Sequence, residues 1–157
     1  MVKVIHFMVV GGEKLDLHLA GIPRFMADEV VLFDPSRAVK AKSIAKAIKE
    51  MGVECRIVPV KVEYMDPYAK ATTEAAASFT EDSCIAVNAS TGPRIVGLAV
   101  EDAVRVQLYF FDRRTFKTAR CSAFRYVVIP GKRLRIVLAP IWNFFREDFN
   151  KIFEVLA

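Results

Sequence analysis

The sequence lacks most of the features that mark secreted proteins, membrane proteins and metalloproteins. It has three cysteines, which are odd in number and far apart, and only two histidines. Isolated cysteines in apolar surroundings are typical of buried thiols in a cytoplasmic protein, and their spacing fits no metal site. No apolar run reaches the ~18 residues of a membrane span, and the start of the chain lacks a signal-peptide cleavage site. We therefore expect a cytoplasmic protein with no metal, no cofactor and no membrane contact.

The two common glycine-rich phosphate-binding motifs, GxxxxGK[ST] and GxGxxG, are also absent. Internal repeats, low-complexity tracts and Gly/Ser linkers are not found either. The 157 residues suffice for one domain with a substantial core.

Charge is unevenly distributed along the chain. The segment that ends at Val104 has 12 basic and 14 acidic residues, whereas Arg105–Ala157 has 11 basic and 4 acidic residues. A basic segment can attract a polyanion such as nucleic acid, or it can be a solvated face with no partner. Both readings stay open, and the sequence supports only a weak, non-specific nucleic-acid contact through Arg105–Ala157.

Short apolar runs alternate with segments of helical periodicity. Strands are predicted at Val2–Val10, Val30–Phe33, Cys55–Val62, Ser83–Val87 and Val106–Phe111. Helices are predicted around residues 15–26 (ended or bent early by Pro23), from Asp34-Pro35-Ser36 to Gly52, over residues 66–79 and after Pro93. In the second helix, lysines 40, 42, 46 and 49 are expected to face outward. This alternation predicts right-handed βαβ units and a parallel sheet.

The pattern changes in the last third. Two runs, Ala123–Pro130 and Leu134–Leu138, predict an antiparallel hairpin, and Trp142–Leu156 carries a phenylalanine stripe typical of a final helix. We divide the chain into a core, residues 1–112, and an extension, residues 113–157, that is part of the same domain or of a dimer interface.

The central stretch is the turn after the fourth predicted strand. Its residues Asn88, Ser90, Thr91, Gly92 and Arg94 place an amide, two hydroxyls, a flexible glycine and a cation before a helix. Backbone N–H groups at such a helix start favour anions, so the turn suits phosphate or ribose. The alternative is an ordinary helix start that Ser90 or Thr91 merely caps.

A second polar turn follows the first strand. It consists of Gly11, Gly12, Glu13 and Lys14. In an open α/β sheet, ligands lie beyond the carboxyl ends of the strands where the winding reverses, and in the common strand order the first and fourth strands flank that point. The two turns are therefore predicted to line one ligand site.

The run Val87–Ile95, after four βα units, resembles the N-x-S-T-G-x-K-I motif of CARF (CRISPR-associated Rossmann fold) domains. The nearest branch is the sensor domain of archaeal transcriptional regulators of CRISPR systems, and the resemblance covers residues 1–112. Pro93 and Arg94 depart from the motif, because relatives often have a small or hydroxyl residue and a lysine there. No winged helix or nuclease domain is recognisable in the rest of the chain.

The resemblance implies a Rossmann-like core, and with the patterns above we expect an α/β fold with a mainly parallel, three-layer sheet, a C-terminal β-hairpin and a final helix. It also implies a homodimer that binds a cyclic oligoadenylate or similar nucleotide through Gly11, Gly12, Glu13, Lys14, Asn88, Ser90, Thr91, Gly92 and Arg94. Two alternatives remain. One is a metal-independent ring nuclease, which Lys14, Arg94 and Ser90 could serve although no general-base histidine is evident and no catalytic residue is assigned. The other is a DNA-associated regulator that uses the basic segment.

Overall fold

A computed structural model of the protein describes residues 2–35, 39–61, 65–79, 82–115 and 121–142. It contains a six-stranded sheet with the order β3-β2-β1-β4-β5-β6, in which neighbouring strands are parallel except for the antiparallel pair β5–β6. The strands are β1 (Lys3–Val9), β2 (Glu29–Asp34), β3 (Glu54–Pro59), β4 (Ser83–Asn88), β5 (Ser122–Ile129) and β6 (Arg135–Trp142). The helices are α1 (Leu15–Leu19), α2 (Gly21–Arg24), α3 (Val39–Glu50), α4 (Asp66–Ser78) and α5 (Arg94–Thr115). The predicted α/β, Rossmann-like fold and its C-terminal hairpin are confirmed.

Strand β1 lies at the centre of the sheet and sends alternate side chains to two separate layers of helices. Ile5, Phe7 and Val9 join the cluster that includes α4 and α5, whereas Met8 and Val10 join the cluster around α3. The short helices α1 and α2 lie on the α3 side, because Leu19 and Ile22 pack in the cluster around α3. The four β1 side chains named here and that of Val10, which follows the strand, are all buried, and full burial of such a side chain contributes roughly 1.5–3 kcal/mol.

The prediction of a strand at Val106–Phe111 is wrong, because helix α5 continues through this segment to Thr115. The alternation of Val106, Leu108 and Phe110 imitates a strand, but Leu108 is buried while Phe110 is exposed. The buried residues of α5 instead follow helical spacing: Val96, Val100, Ala103, Val104 and Leu108. The fifth strand is Ser122–Ile129.

Helix α5 also runs through residue 112, where the sequence suggested a division, and β5 pairs with β4 in the same sheet. Trp142 ends β6 and does not begin a helix. The rest of the predicted final helix, residues 143–156, lies outside the described residues. Among the helices described, none combines the length and the apolar character needed to cross a bilayer.

Candidate functional site

The two polar turns meet at one end of the sheet because β1 and β4 are adjacent and parallel. We call residues 11–14 the β1 turn and residues 89–93 the β4 turn. The hydroxyl of Thr91 donates to the carbonyl of Val9 at 2.7 Å, and the N–H of Gly92 donates to Oε2 of Glu13 at 3.2 Å. The predicted convergence of the two turns is therefore a property of the fold.

Two glycines allow the turns to approach each other. A Cβ on Gly11 would lie 2.7 Å from the Cα of Gly92, closer than real Cβ contacts come. Gly92 has a φ of +80°, and a Cβ there would lie 2.5 Å from the Cβ of Val9. Gly12 differs, because a Cβ there would have no atom within 4 Å. Gly11 and Gly92 thus serve the packing of the turns, and Gly12 faces open space.

The polar side chains around the β4 turn point into the fold. The amide of Asn88 donates to the carbonyl of Leu17 at 3.0 Å and accepts from the N–H of Ser90 at 2.9 Å. The hydroxyl of Ser90 accepts from the N–H of Val128 at 2.6 Å. With the bond from Thr91 to β1, these contacts join the turn to α1, β1 and β5.

These contacts argue against the alternative in which Ser90 or Thr91 caps α5. Each hydroxyl bonds to a strand and not to the first turn of the helix. The carbonyl of Pro93, just before α5, accepts from the N–H groups of Val96 and Gly97. Ligand contact by Asn88, Ser90 and Thr91 stays a prediction.

The β1 turn is held by His18 on α1. The N–H of Gly11 donates to Nε2 of this histidine at 3.3 Å, so the proton lies on Nδ1, which donates to the carbonyl of Lys14 at 3.1 Å. Burial lowers the pKa of His18 below its ordinary value, although the hydrogen bond to Lys14 acts in the opposite direction. The neutral ring therefore acts as both acceptor and donor for the turn.

His6, on β1, is fully buried, and burial lowers its pKa to about 3. Its Nδ1 lies 3.1 Å from the hydroxyl of Tyr126. Both histidines are thus within the fold, as their positions in the first strand and first helix predict, and neither presents a ring nitrogen to the outer surface of the turns.

An open groove of about 520 Å³ lies against the two turns. It is lined by Val10, Gly11, Gly12, Glu13, Pro35, Lys40, Gly92 and Pro93. Of the nine predicted site residues, four line it: Gly11, Gly12, Glu13 and Gly92. The other five do not: Lys14 and Arg94 are exposed at the same end of the sheet but outside the lining of the groove, and Asn88, Ser90 and Thr91 point inward.

Lys40 is the residue of this groove that the sequence analysis missed. It was expected to face outward, but its Nζ donates to the carbonyl of Glu13 at 2.7 Å and its side chain is half-buried. The signal was available in the strand order: β2 neighbours β1, so the helix after β2 begins beside the β1 turn.

Further cations lie near the same end of the sheet. Lys14 precedes α1 and Arg94 begins α5, and within the described ranges neither side chain forms an ion pair or hydrogen bond. Because β5 is parallel to β4, the β5–β6 connection also emerges at this end, and it carries exposed Lys132 and Arg133. In contrast, Arg125 pairs with Glu101 on α5 at 3.8 Å.

Volume alone does not identify this site. A hollow of about 500 Å³ lies near the starts of β2 and β3, where it is lined by Glu29, Arg56 and their neighbours. There Arg56 is already paired with Glu29 and Glu74.

No cluster of three or more histidine, cysteine or acidic side chains able to hold a metal occurs in the described part of the chain.

No protein-family model matches the chain, and no curated protein matches it either. What is established is therefore the architecture, a mixed α/β sheet of Rossmann-like character with mostly parallel strands.

Proposed function

We propose that the chain is a CARF-like sensor domain that binds a cyclic oligoadenylate, or a related phosphate-bearing nucleotide, in CRISPR-linked regulation in the cytoplasm. The observation that supports this most is the convergence of two glycine-bearing turns beside a groove at the carboxyl end of parallel strands. This end is where open α/β sheets bind their ligands.

The charges at this end favour an anionic ligand. Lys14, Lys40 and Arg94 each follow a different strand, and the hairpin adds Lys132 and Arg133. Cations of this kind attract phosphate groups, and arginine can bind one in bidentate fashion. A cyclic oligonucleotide has several phosphates around one ring, so it could contact cations that follow different strands.

Homodimerisation is part of the proposal, and its support is the exposed face of α5. Ile95 is 70% exposed and Leu98 is 54% exposed, directly after the β4 turn. Arg94, Leu98 and Asp102 are four residues apart, so they share one ridge of the helix. Two copies crossing antiparallel at Leu98 would bury this apolar surface, and two sets of turns would then flank one ligand.

The proposal is tested by calorimetric titration with cyclic tetra-adenylate and cyclic hexa-adenylate, followed by chromatography of the recovered ligand. We expect one ring per two chains and intact ligand. Lys14→Gln and Arg94→Gln should each weaken binding about tenfold and make it less sensitive to salt, because each removes one phosphate contact. Lys70→Gln, on the exposed surface of α4, is the matched control and should bind as the unaltered protein does.

The other outcomes are equally decisive. Linear products would make the protein a ring nuclease, the alternative from a different class. No binding to either ring would refute the proposed ligand. Binding that neither Lys14→Gln nor Arg94→Gln alters would place the ligand away from these turns.

A further inference from the structure

We propose that Glu13 is not a ligand contact but an internal anion that a ligand phosphate must displace, and that Lys40 is the cation that receives this phosphate in the groove. For the identity of its ligand this inference rests on the proposed function. It assigns a regulatory role to one residue and a binding role to another, and it reverses the direct contact predicted for Glu13.

The carboxylate of Glu13 lies where the two turns meet. Its Oε2 accepts the N–H of Gly92, and an added Cβ on Gly11 would clash with the same oxygen. The carboxylate therefore covers both glycines at the point where the two turns are closest. This is also the point at which exposed backbone would allow a ligand to approach.

The carboxylate of Glu13 repels an incoming phosphate, and both anions would accept the same hydrogen bond from the N–H of Gly92. The two anions therefore cannot share the position. Because only the side chain of Glu13 makes the bond to Gly92, a rotation of that side chain would free the N–H group.

The backbone of the β1 turn has hydrogen bonds that do not involve the Glu13 carboxylate. The carbonyl of Glu13 accepts from Nζ of Lys40, and the carbonyl of Lys14 accepts from Nδ1 of His18. The backbone of the turn is thus held from α3 and from α1 while the carboxylate leaves. Lys40 lines the same groove, and its ammonium has three donors, so it can keep the carbonyl and still contact a phosphate.

The experiment titrates isotope-labelled protein with inorganic pyrophosphate and follows the amide resonance of Gly92. Glu13→Gln keeps an acceptor of the same shape and removes the charge, so we expect pyrophosphate to bind about five- to tenfold more tightly than to the unaltered protein. Asp16→Asn removes an exposed negative charge nearby and should change affinity less than twofold. Lys40→Gln should weaken binding at least fivefold, whereas Lys46→Gln, exposed on the same helix, should not.

The inference is overturned if Glu13→Gln binds pyrophosphate no more tightly than Asp16→Asn does, if Lys40→Gln is silent, or if the Gly92 resonance stays unchanged at saturation. The result is separable from that of the proposed function. If cyclic oligoadenylates bind and Glu13→Gln weakens them, the ligand is right and Glu13 is a direct contact. If no ring binds but pyrophosphate shows the expected pattern, the displacement holds and the nucleotide is wrong.

Discussion

The β1 turn and the β4 turn are both polar and both contain glycine, yet they use their side chains in different ways. Around the β4 turn, Asn88, Ser90 and Thr91 all bond to backbone groups within the fold. In the β1 turn, Gly12 and Lys14 face solvent, and the turn is held from outside by His18 and Lys40. Polar residues after a strand thus identify an end of the sheet but not the direction of their side chains.

The glycines provide the strongest test of this difference. Gly92→Ala should lower the free energy of unfolding by about 3 kcal/mol, because it adds a Cβ at a positive φ against Val9. Gly12→Ala, with open space around it, should change this free energy by less than about 0.5 kcal/mol. Urea denaturation of both variants measures the two values. Equal destabilisation would show that the turns are held alike.

A somewhat smaller effect is expected from the amide beside the β4 turn. Asn88→Ala removes partners from the carbonyl of Leu17 and the N–H of Ser90 and should cost about 2–3 kcal/mol, whereas Lys14→Gln should cost almost nothing. The measurement is again urea denaturation. If Asn88→Ala left the free energy of unfolding unchanged, the side chain would not be needed for folding and could contact a ligand.

The smallest expected effect is local and depends on pH. The pKa of His18 is lower in the folded protein than its ordinary 6.5, so between the two values the unfolded chain binds more protons. Its contribution to stability is therefore complete above pH 6.5 and is lost as the pH falls below it.

We expect the protection of the Gly11 amide against hydrogen exchange to fall as the pH drops below 6.5, because the opened turn takes up a proton on Nε2 of His18 more readily than the closed turn does. The Ser90 amide, which donates to Asn88, provides the internal reference. In His18→Gln the difference between the two amides should no longer depend on pH. If protection fell equally at both amides, the hydrogen bond from Gly11 to His18 would not stabilise the β1 turn independently of the rest of the site.

Much of the fold could be predicted from local patterns. Strands β1 and β4 are largely apolar runs that end in polar turns, and the two runs Ala123–Pro130 and Leu134–Leu138 predicted the hairpin of β5 and β6. The segment Val106–Phe111 could not be assigned correctly, because its β-branched and aromatic residues suit a strand. Packing of Val104 and Leu108 against the sheet overrides that preference in α5.

The candidate site was predictable in place but not in detail. Strand adjacency brings the two turns together, and that follows from topology. The inward direction of Ser90 and Thr91 depends on where Val128 and Val9 lie, so it required the assembled sheet. Lys40 was missed for a related reason: its helical position resembles that of the exposed lysines, and only the β1 turn beside it distinguishes it.

The hydrogen bonds of the β4 turn have a consequence for the entropy of binding. A segment joined to α1, β1 and β5 has few conformations left to lose, so a ligand that contacts its backbone would meet a preorganised surface. The ordering cost of recognition would then fall on the β1 turn and on the ligand itself. Variation in the β1 turn could therefore tune affinity with little effect on folding, whereas variation in the β4 turn would alter both together.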